Sequence, residues 1–307
     1  MSSLTVLAVY CVLIVAASLL GGRLPTLVKL DHKRMQILIS FVGGLMLGIG
    51  LFHMLPHAIV MLGIYRLDRV VVAVMLGMVV MFFLLRMFHF HHHDPEQLPQ
   101  VEACDHEDHH HDHAGHSHHD SLTKDMSWMG VFVGLSLHTM VDGFALGASI
   151  QADAMHQNKV LFLGLGTFVA ILLHKPLDAL SITSLMRASK WSGRSQFLVN
   201  GTFALMCPLG AFLFLTGAGF LEGQQTEIVG SMLAFAAGVF ICIALSDLLP
   251  EMEFHSHHRV PLSLALLAGI ALAWMIRYLE PVNVHSPNPG TTIQLGEDFQ
   301  LPPIESE

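Results

Sequence analysis

The amino-acid sequence predicts an all-α protein that crosses a lipid bilayer several times. Hydrophobic residues make up 53% of the 307-residue chain, charged residues make up 13%, and the mean hydropathy is +0.58. A soluble protein carries about 25% charged residues, so a soluble domain of this composition would have too little polar surface to face water. The formal net charge of −9 says little about binding partners, because most charged residues lie in predicted loops and tails.

Eight apolar segments are long enough to cross a bilayer, which takes about 20 residues of helix. They cover residues 3–22, 35–62, 69–90, 128–150, 158–188, 195–220, 227–250 and 260–280. The first segment has no basic residue before it and no small-residue cleavage site, so we expect a retained helix rather than a signal peptide. The four cysteines show no spacing of a disulfide framework.

These segments divide the chain into five parts. Helices 1–3 occupy residues 1–90, a histidine-rich cytoplasmic loop occupies 91–127, helices 4 and 5 occupy 128–188, and helices 6–8 occupy 189–280. The remaining residues, 281–307, form an acidic, Pro-rich tail that we expect to be disordered.

The basic residues predict how the helices are oriented. The loops after segments 1, 3, 5 and 7 hold ten of the 15 lysines and arginines, and the alternate loops and the C-terminal tail hold four. Because cytoplasmic loops are rich in Lys and Arg, we expect the odd-numbered loops in the cytoplasm and both termini on the other side. The expected location is a plasma or inner membrane.

The loop between segments 3 and 4 is rich in histidine. Twelve histidines lie between His89 and His119, with interleaved acids, as in "HEDHHHDHAGHSHHD". Imidazole and carboxylate bind zinc, and such a tract cannot build a core, although a solvated low-complexity linker is the alternative. The candidate metal-binding residues of the loop are His106, His109, His110, His111, His113, His116, His118 and His119.

Two matched pairs of ionisable residues interrupt segments 4 and 5. "LHTMVDGFAL" contains His138 and Asp142, and "LHKPLDALSI" contains His174 and Asp178. Residues four apart share one helical face, and an ionisable side chain at mid-membrane costs about 2.5–3.5 kcal/mol. Two such faces in contact would offer two imidazoles and two carboxylates, a tetrahedral set that suits zinc. Hydrogen-bonded His–Asp pairs that only join two helices are the alternative.

The helices also contain an internal similarity. "FVGGLMLGIGLFHMLPH" (41–57) aligns with "FAAGVFICIALSDLLPE" (235–251) at an offset of 194 residues. Segments 2 and 7 are predicted to run in opposite directions, which is the signature of an inverted-topology repeat. Segments 1–3 and 6–8 would then be related halves, with segments 4 and 5 between them.

The aligned stretches carry a second set of polar residues. His53 and His57 of segment 2 fall on Asp247 and Glu251 of segment 7. In the predicted orientation the two histidines lie in the outer part of the membrane and the two acids near the cytoplasmic end. They are candidate stations on a metal pathway, or interfacial polar residues beside a proline kink.

The motif "HTMVDGFALGASI" closely resembles the fourth-helix motif of the ZIP (Zrt/Irt-like protein) metal transporters, with support from "HMLPHA" in segment 2 and "DLLPEM" in segment 7. The resemblance implies a 3+2+3 arrangement of helices with an inverted repeat. It also implies transport of a divalent metal, usually zinc, toward the cytoplasm. His138, Asp142, His174 and Asp178 fall on the positions of the family's primary site between helices 4 and 5.

Three residues depart from the family pattern. Thr139 replaces the asparagine after the first histidine, Lys175 replaces the acid common after the second, and Pro176 lies one position earlier than usual. In the family, the positions of Thr139 and Lys175 help to build a second metal site. Thr is a poor zinc ligand and a lysine repels a cation, so we expect a mononuclear site.

The sequence therefore predicts a transporter of zinc rather than an enzyme, although Fe²⁺, Mn²⁺ and Cd²⁺ suit the same ligands. A zinc exporter resembling the cation diffusion facilitators, an intramembrane zinc-dependent hydrolase and a metal-sensing receptor are the alternatives. The expected partners are a divalent metal ion and the lipid bilayer, not nucleic acid, and the sequence leaves a homodimer open.

Overall fold

The computed structural model describes residues 2–27, 32–87, 120–155, 163–220, 223–254 and 259–279. All regular structure in these ranges is helical. The ten α-helices are α1 (Ser3–Leu27), α2 (His32–Ile49), α3 (Leu55–Leu62), α4 (Leu67–Met87), α5 (Asp120–Met155), α6 (Leu165–Ala188), α7 (Gly193–Ala204), α8 (Met206–Phe220), α9 (Gln225–Phe254) and α10 (Arg259–Ile276). The histidine-rich residues 88–119 and the tail lie outside the described residues.

Within the described residues, seven stretches of helix are long and apolar enough to cross a membrane. They are Ser3–Leu24, Lys33–Leu62, Ile64–Arg86, Trp128–Met155, Leu165–Ala188, Gly193–Phe220 and Gln225–Ser246. The eighth predicted segment corresponds to a shorter apolar helix, Val260–Ile276. The prediction of an all-α, multi-pass membrane protein is confirmed.

Two of the predicted segments are not single α-helices, and a proline explains each interruption. Segment 2 contains a π-helical turn, Gly50–Met54, in which the N–H of Leu55 donates to the carbonyl of Gly50. Pro56 follows directly, and because proline has no N–H and its ring crowds the carbonyl four residues earlier, the wider turn relieves the clash at Phe52. Turns of this kind often occur at functional sites, and this one carries His53.

Segment 6 divides into α7 and α8 at Leu205. Pro208 cannot donate to the carbonyl of Ala204, its partner in a continuous helix. The chain turns there, and the N–H of Leu209 donates to the carbonyl of Leu205 to start the new helix.

Helix α5 is longer than predicted. It begins at Asp120, within the range assigned to the histidine-rich loop, and its apolar span begins at Trp128 as predicted.

Close contacts at glycines hold the helices together in pairs, as small residues do in membranes. A Cβ atom on Gly44 of α2 would overlap the carbonyl of Leu266 of α10, and one on Gly269 of α10 would overlap the carbonyl of Phe41. Helices α2 and α10 therefore touch backbone to backbone.

The same arrangement recurs between α9 and α4. A Cβ atom on Gly238 would overlap the carbonyl of Val74, and one on Gly77 would overlap the carbonyl of Phe235. Gly238 and Phe235 follow Gly44 and Phe41 by 194 residues, the offset of the aligned sequences. The packing of segment 7 against segment 3 thus repeats the packing of segment 2 against segment 8, as the predicted inverted repeat requires.

Two further glycine contacts position the candidate site helices. A Cβ atom on Gly210 of α8 would overlap the carbonyl of Met140 on α5, and one on Gly21 of α1 would overlap the backbone of Pro176 on α6. Met140 and Pro176 each lie two residues after the histidine of their motif. Related helices of the two halves therefore hold α5 and α6 at equivalent points.

We expect Gly210→Ala to lower the free energy of unfolding by about 1–3 kcal/mol, because overpacking a tight contact forces the backbones apart. Gly217→Ala on the same helix is the matched control, since a Cβ atom there would have no described atom of another helix within 4 Å. That control should be neutral or slightly stabilising, because alanine favours a helix over glycine. Thermal unfolding in detergent measures both, and equal midpoints would contradict the close contact.

Candidate metal centre

Helices α5 and α6 bring the two predicted His–Asp pairs together. One ligand atom from each of His138, Asp142, His174 and Asp178 lies within 4.8 Å of all the others. The first three residues are buried, and the side chain of Asp178 is 16% exposed. All four lie well inside the apolar spans Trp128–Met155 and Leu165–Ala188.

Both imidazoles direct Nε2 toward the same two carboxylate oxygens. Oδ2 of Asp142 lies 3.2 Å from Nε2 of His174 and 3.4 Å from Nε2 of His138. Oδ2 of Asp178 lies 3.9 Å and 4.0 Å from the same two nitrogens. A tetrahedral zinc ion with bonds of about 2.0–2.2 Å holds its ligands about 3.3–3.6 Å apart, so these atoms need only small adjustments to enclose one ion.

A backbone contact fixes which nitrogen of His174 can act as a ligand. Nδ1 of His174 lies 2.8 Å from the carbonyl oxygen of Ala170, one turn earlier in α6. A carbonyl only accepts, so Nδ1 carries a proton, and Nε2 is the nitrogen that faces the cluster, where it donates to Oδ2 of Asp142 and, once it loses that proton, can bind a metal ion. Backbone carbonyls commonly orient metal-binding histidines in this way.

The ammonium group of Lys175 lies beside the cluster. Its Nζ donates to Oγ1 of Thr139 at 2.8 Å, to Oδ2 of Asp142 at 2.9 Å and to Oδ2 of Asp178 at 3.2 Å. Lys175 is fully buried, with the ring of Phe203 5.2 Å from Nζ. Two carboxylates and one hydroxyl therefore use its three donors. Lys175 and Thr139 are two of the three residues that depart from the family pattern.

A second polar cluster contains two of the predicted pathway residues and one that the sequence did not single out. Nε2 of His53 lies 2.7 Å from the carbonyl oxygen of Ala273, and Nδ1 of His57 lies 3.5 Å from Oδ1 of Asp153. Oδ2 of Asp153 accepts a hydrogen bond from the backbone N–H of Gly164 at 2.7 Å. All of these side chains are buried, and they line a cavity of about 10 Å³.

Asp153 could have been found from its spacing. It follows Asp142 by 11 residues, which is close to three helical turns, so both acids lie on one face of α5. Its pairing with His57 depends on how α3 packs, which no local pattern reveals. The structure describes side chains of α9 only as far as Ser246, so the predicted roles of Asp247 and Glu251 lie outside the described residues, as do those of the loop histidines.

Comparison with known proteins agrees with this geometry. The family model described as ZIP zinc transporter matches residues 4–277, nearly the whole chain. The chain belongs to the ZIP family. Its relatives in this family include Zinc transporter ZIP10 of Danio rerio, 30% identical over 50% of this chain, and Metal cation symporter ZIP14 of Danio rerio, 32% identical over 42%. Zinc transporter 3 of Arabidopsis thaliana is 28% identical over 46%.

This ZIP chain matches only a part of each relative. The match covers 18% of the length of the ZIP10 protein, 23% of the ZIP14 protein and 41% of the Arabidopsis protein. The relatives are named as transporters, not as enzymes, which argues against the hydrolase that the sequence alone left open.

Proposed function

We propose that this ZIP protein carries a divalent metal ion, zinc above others, across the bilayer toward the cytoplasm. The observation that carries the proposal is the buried cluster of His138, Asp142, His174 and Asp178, whose ligand atoms lie within 4.8 Å of one another. Placing such groups in the membrane is costly, and a bound cation compensates for the charge of the two carboxylates. The set combines borderline imidazole nitrogens with hard carboxylate oxygens, a combination that does not select zinc alone, so Fe²⁺, Mn²⁺ and Cd²⁺ are competing substrates.

In this proposal, the cluster of His53, His57 and Asp153 binds the metal ion transiently on the outer side of the membrane. Asp153 lies about 16 Å along α5 from Asp142, given a rise of about 1.5 Å per residue. Both positions face the interior rather than lipid, since both side chains are buried. Asp247 and Glu251 would then serve on the cytoplasmic side, as their alignment with His53 and His57 predicts.

Movement between the two sides follows from the inverted repeat. The two related halves contact α5 and α6 at equivalent points. Gly210 packs against Met140, and Gly21 packs against Pro176. Rocking of one part of such a repeat against the other exposes a central site to each side in turn. We propose this alternating-access mechanism, with both termini outside the cytoplasm in a plasma or inner membrane.

The site in this proposal binds one metal ion at a time. Lys175 lies where a second cation would bind, and its charge is already paired with Asp142 and Asp178. A second divalent ion beside it would meet like-charge repulsion in a medium of low dielectric constant. Thr139 offers that ion only a hydroxyl group.

Uptake of radioactive zinc into vesicles that contain the purified protein in a known orientation tests the proposal. We expect zinc to accumulate when it is added to the side that carries the termini, and Fe²⁺, Mn²⁺ or Cd²⁺ to compete to different extents. Accumulation only from the opposite side would indicate an exporter. Binding without accumulation would indicate a metal sensor.

The histidine-rich loop should regulate transport rather than perform it. Imidazole and carboxylate groups bind zinc, and many of them in one low-complexity tract can act together as a local metal buffer or sensor. Deleting residues 104–120 should therefore leave zinc uptake intact and change its response to high cytoplasmic zinc. Complete loss of uptake in a well-expressed deletion variant would mean that the loop is part of the pathway.

A further inference from the structure

A pocket separate from both polar clusters lies where α1 and α6 end and α7 begins. Its volume is about 560 Å³, within the range of about 300–1,000 Å³ typical of small-molecule sites. The apolar spans of α1 and α6 end at Leu24 and Ala188, and the span of α7 begins at Gly193. The pocket therefore lies at the boundary of the membrane core.

Three arginines give this pocket a strongly positive charge. Arg23, Arg187 and Arg194 line it, and none of its described lining residues is an aspartate or glutamate. The guanidinium of Arg23 lies 5.4 Å from the ring centroid of Phe197. Within the described ranges, Arg187 and Arg194 form no ion pair. Such a pocket repels a divalent metal ion, so it is not part of the proposed metal route, and it attracts an anion.

A buried polar side chain forms the floor of the pocket. Asn200 is 3% exposed and donates from Nδ2 to the carbonyl oxygen of Ser18 on α1 at 3.2 Å. A Cβ atom on Gly22 would overlap this amide group, so the glycine is needed for Asn200 to reach α1. Oδ1 of Asn200 has no hydrogen-bond partner among the described residues.

The apolar side chains of the pocket indicate a lipid rather than a soluble anion. Leu19, Phe197 and Leu198 also line it, and Phe197 and Leu198 are 50% and 67% exposed. These side chains lie at the beginning of a membrane-spanning helix, where acyl chains surround the protein. A ligand that contacts both the arginines and these apolar side chains must carry an anionic head and a long apolar part.

We infer that this pocket binds an anionic phospholipid. The phosphate lies against Arg187 and Arg194, and the acyl chains follow Phe197 and Leu198 into the bilayer. Guanidinium groups bind phosphate with two parallel hydrogen bonds, and basic pockets between membrane helices are known to select anionic headgroups. Phosphatidylglycerol, which has both an anionic phosphate and acyl chains, fits this chemistry.

Tryptophan fluorescence can report the binding. Trp191 comes shortly before Arg194 in the chain, and its ring centroid lies 5.0 Å from that of Trp128. In a Trp274→Phe background these two are the remaining tryptophans, and a brominated lipid in the pocket quenches their emission. The protein is reconstituted in phosphatidylcholine vesicles that contain brominated phosphatidylglycerol or, for comparison, brominated phosphatidylcholine. Each arginine near an anionic headgroup should contribute a factor of about five to the preference for phosphatidylglycerol.

Substitutions of the pocket arginines test whether the pocket causes the preference for phosphatidylglycerol. Arg187→Gln and Arg194→Gln should each lower the preference about fivefold, and the double variant should nearly abolish it. Arg86→Gln, an exposed arginine in the last turn of α4, is the matched control and should keep the preference. If the double variant does not fold, the quenching measured in the single variants and in the unmodified protein still tests the inference.

Three results would overturn the inference. They are equal quenching by the two brominated lipids in the unmodified protein, an unchanged preference in the Arg187 and Arg194 variants, and loss of the preference in excess soluble glycerol phosphate. The last result would assign the pocket to a soluble phosphate compound instead.

Discussion

Alanine in place of any one of His138, Asp142, His174 or Asp178 should reduce zinc uptake to the background of protein-free vesicles. Each residue supplies one of four converging ligand atoms, and three ligands remain after the substitution. Mutation of residues that only support a ligand commonly costs 10- to 100-fold in metal affinity, so loss of a ligand itself should cost at least about 100-fold. Initial rates of radioactive zinc uptake measure the effect.

A control on the same helix separates loss of a ligand from general damage. Ser181→Ala on α6 removes a hydroxyl that donates only to the carbonyl of Leu177 in its own helix, and it should leave uptake unchanged. Equal expression and equal elution volume in gel filtration show that each variant is folded. Wild-type uptake rates in any two of the four alanine variants would refute the proposed site.

The fold was predictable because the lipid bilayer constrains the local structure of every segment that crosses it. Runs of apolar residues must form helices that satisfy every backbone group internally, so length and hydropathy locate the spans. The repeat was visible because Phe41 and Gly44 recur as Phe235 and Gly238, and these residues form the helix contacts. The π-helical turn before Pro56 was not predictable, since a proline in a helix is accommodated by a kink, a wider turn or a break, depending on its neighbours.

The cluster of four residues was predictable for a similar local reason. A spacing of four residues places His138 with Asp142 on one helical face, and the matching pair on the next helix predicts that the faces meet. The partnership of His57 with Asp153 joins residues nearly 100 positions apart, and only the tertiary structure, in which α3 and α5 both pack against α9, reveals it. A lysine at mid-membrane must find an anion or lose its proton, which predicts that Lys175 pairs with one of the two site carboxylates, and it contacts both.

The second large effect is expected at Lys175. Lys175→Ala leaves Asp142 and Asp178 without their cation, and removing one partner of a buried ion pair typically costs about 3–5 kcal/mol. The metal-free variant should therefore unfold at a lower temperature than the unmodified protein. Zinc should restore most of the difference, because the ion compensates for the same two carboxylates. A variant whose thermal midpoint is unchanged without metal would contradict the buried ion pairs.

Lys175→Glu should raise the number of bound zinc ions toward two per chain. The substitution removes the ammonium that contacts Thr139, Asp142 and Asp178 and adds a carboxylate at the position where the family has one. Lys175→Ala is the matched control, since it removes the same charge without adding a ligand, and it should stay at one zinc. The measurement is metal content of purified protein with residues 104–120 deleted, so that zinc held by the loop is not counted. Two zinc ions in the protein that retains Lys175 would contradict the mononuclear site, because the ammonium and a second zinc ion would then have to share the same oxygens against their mutual repulsion.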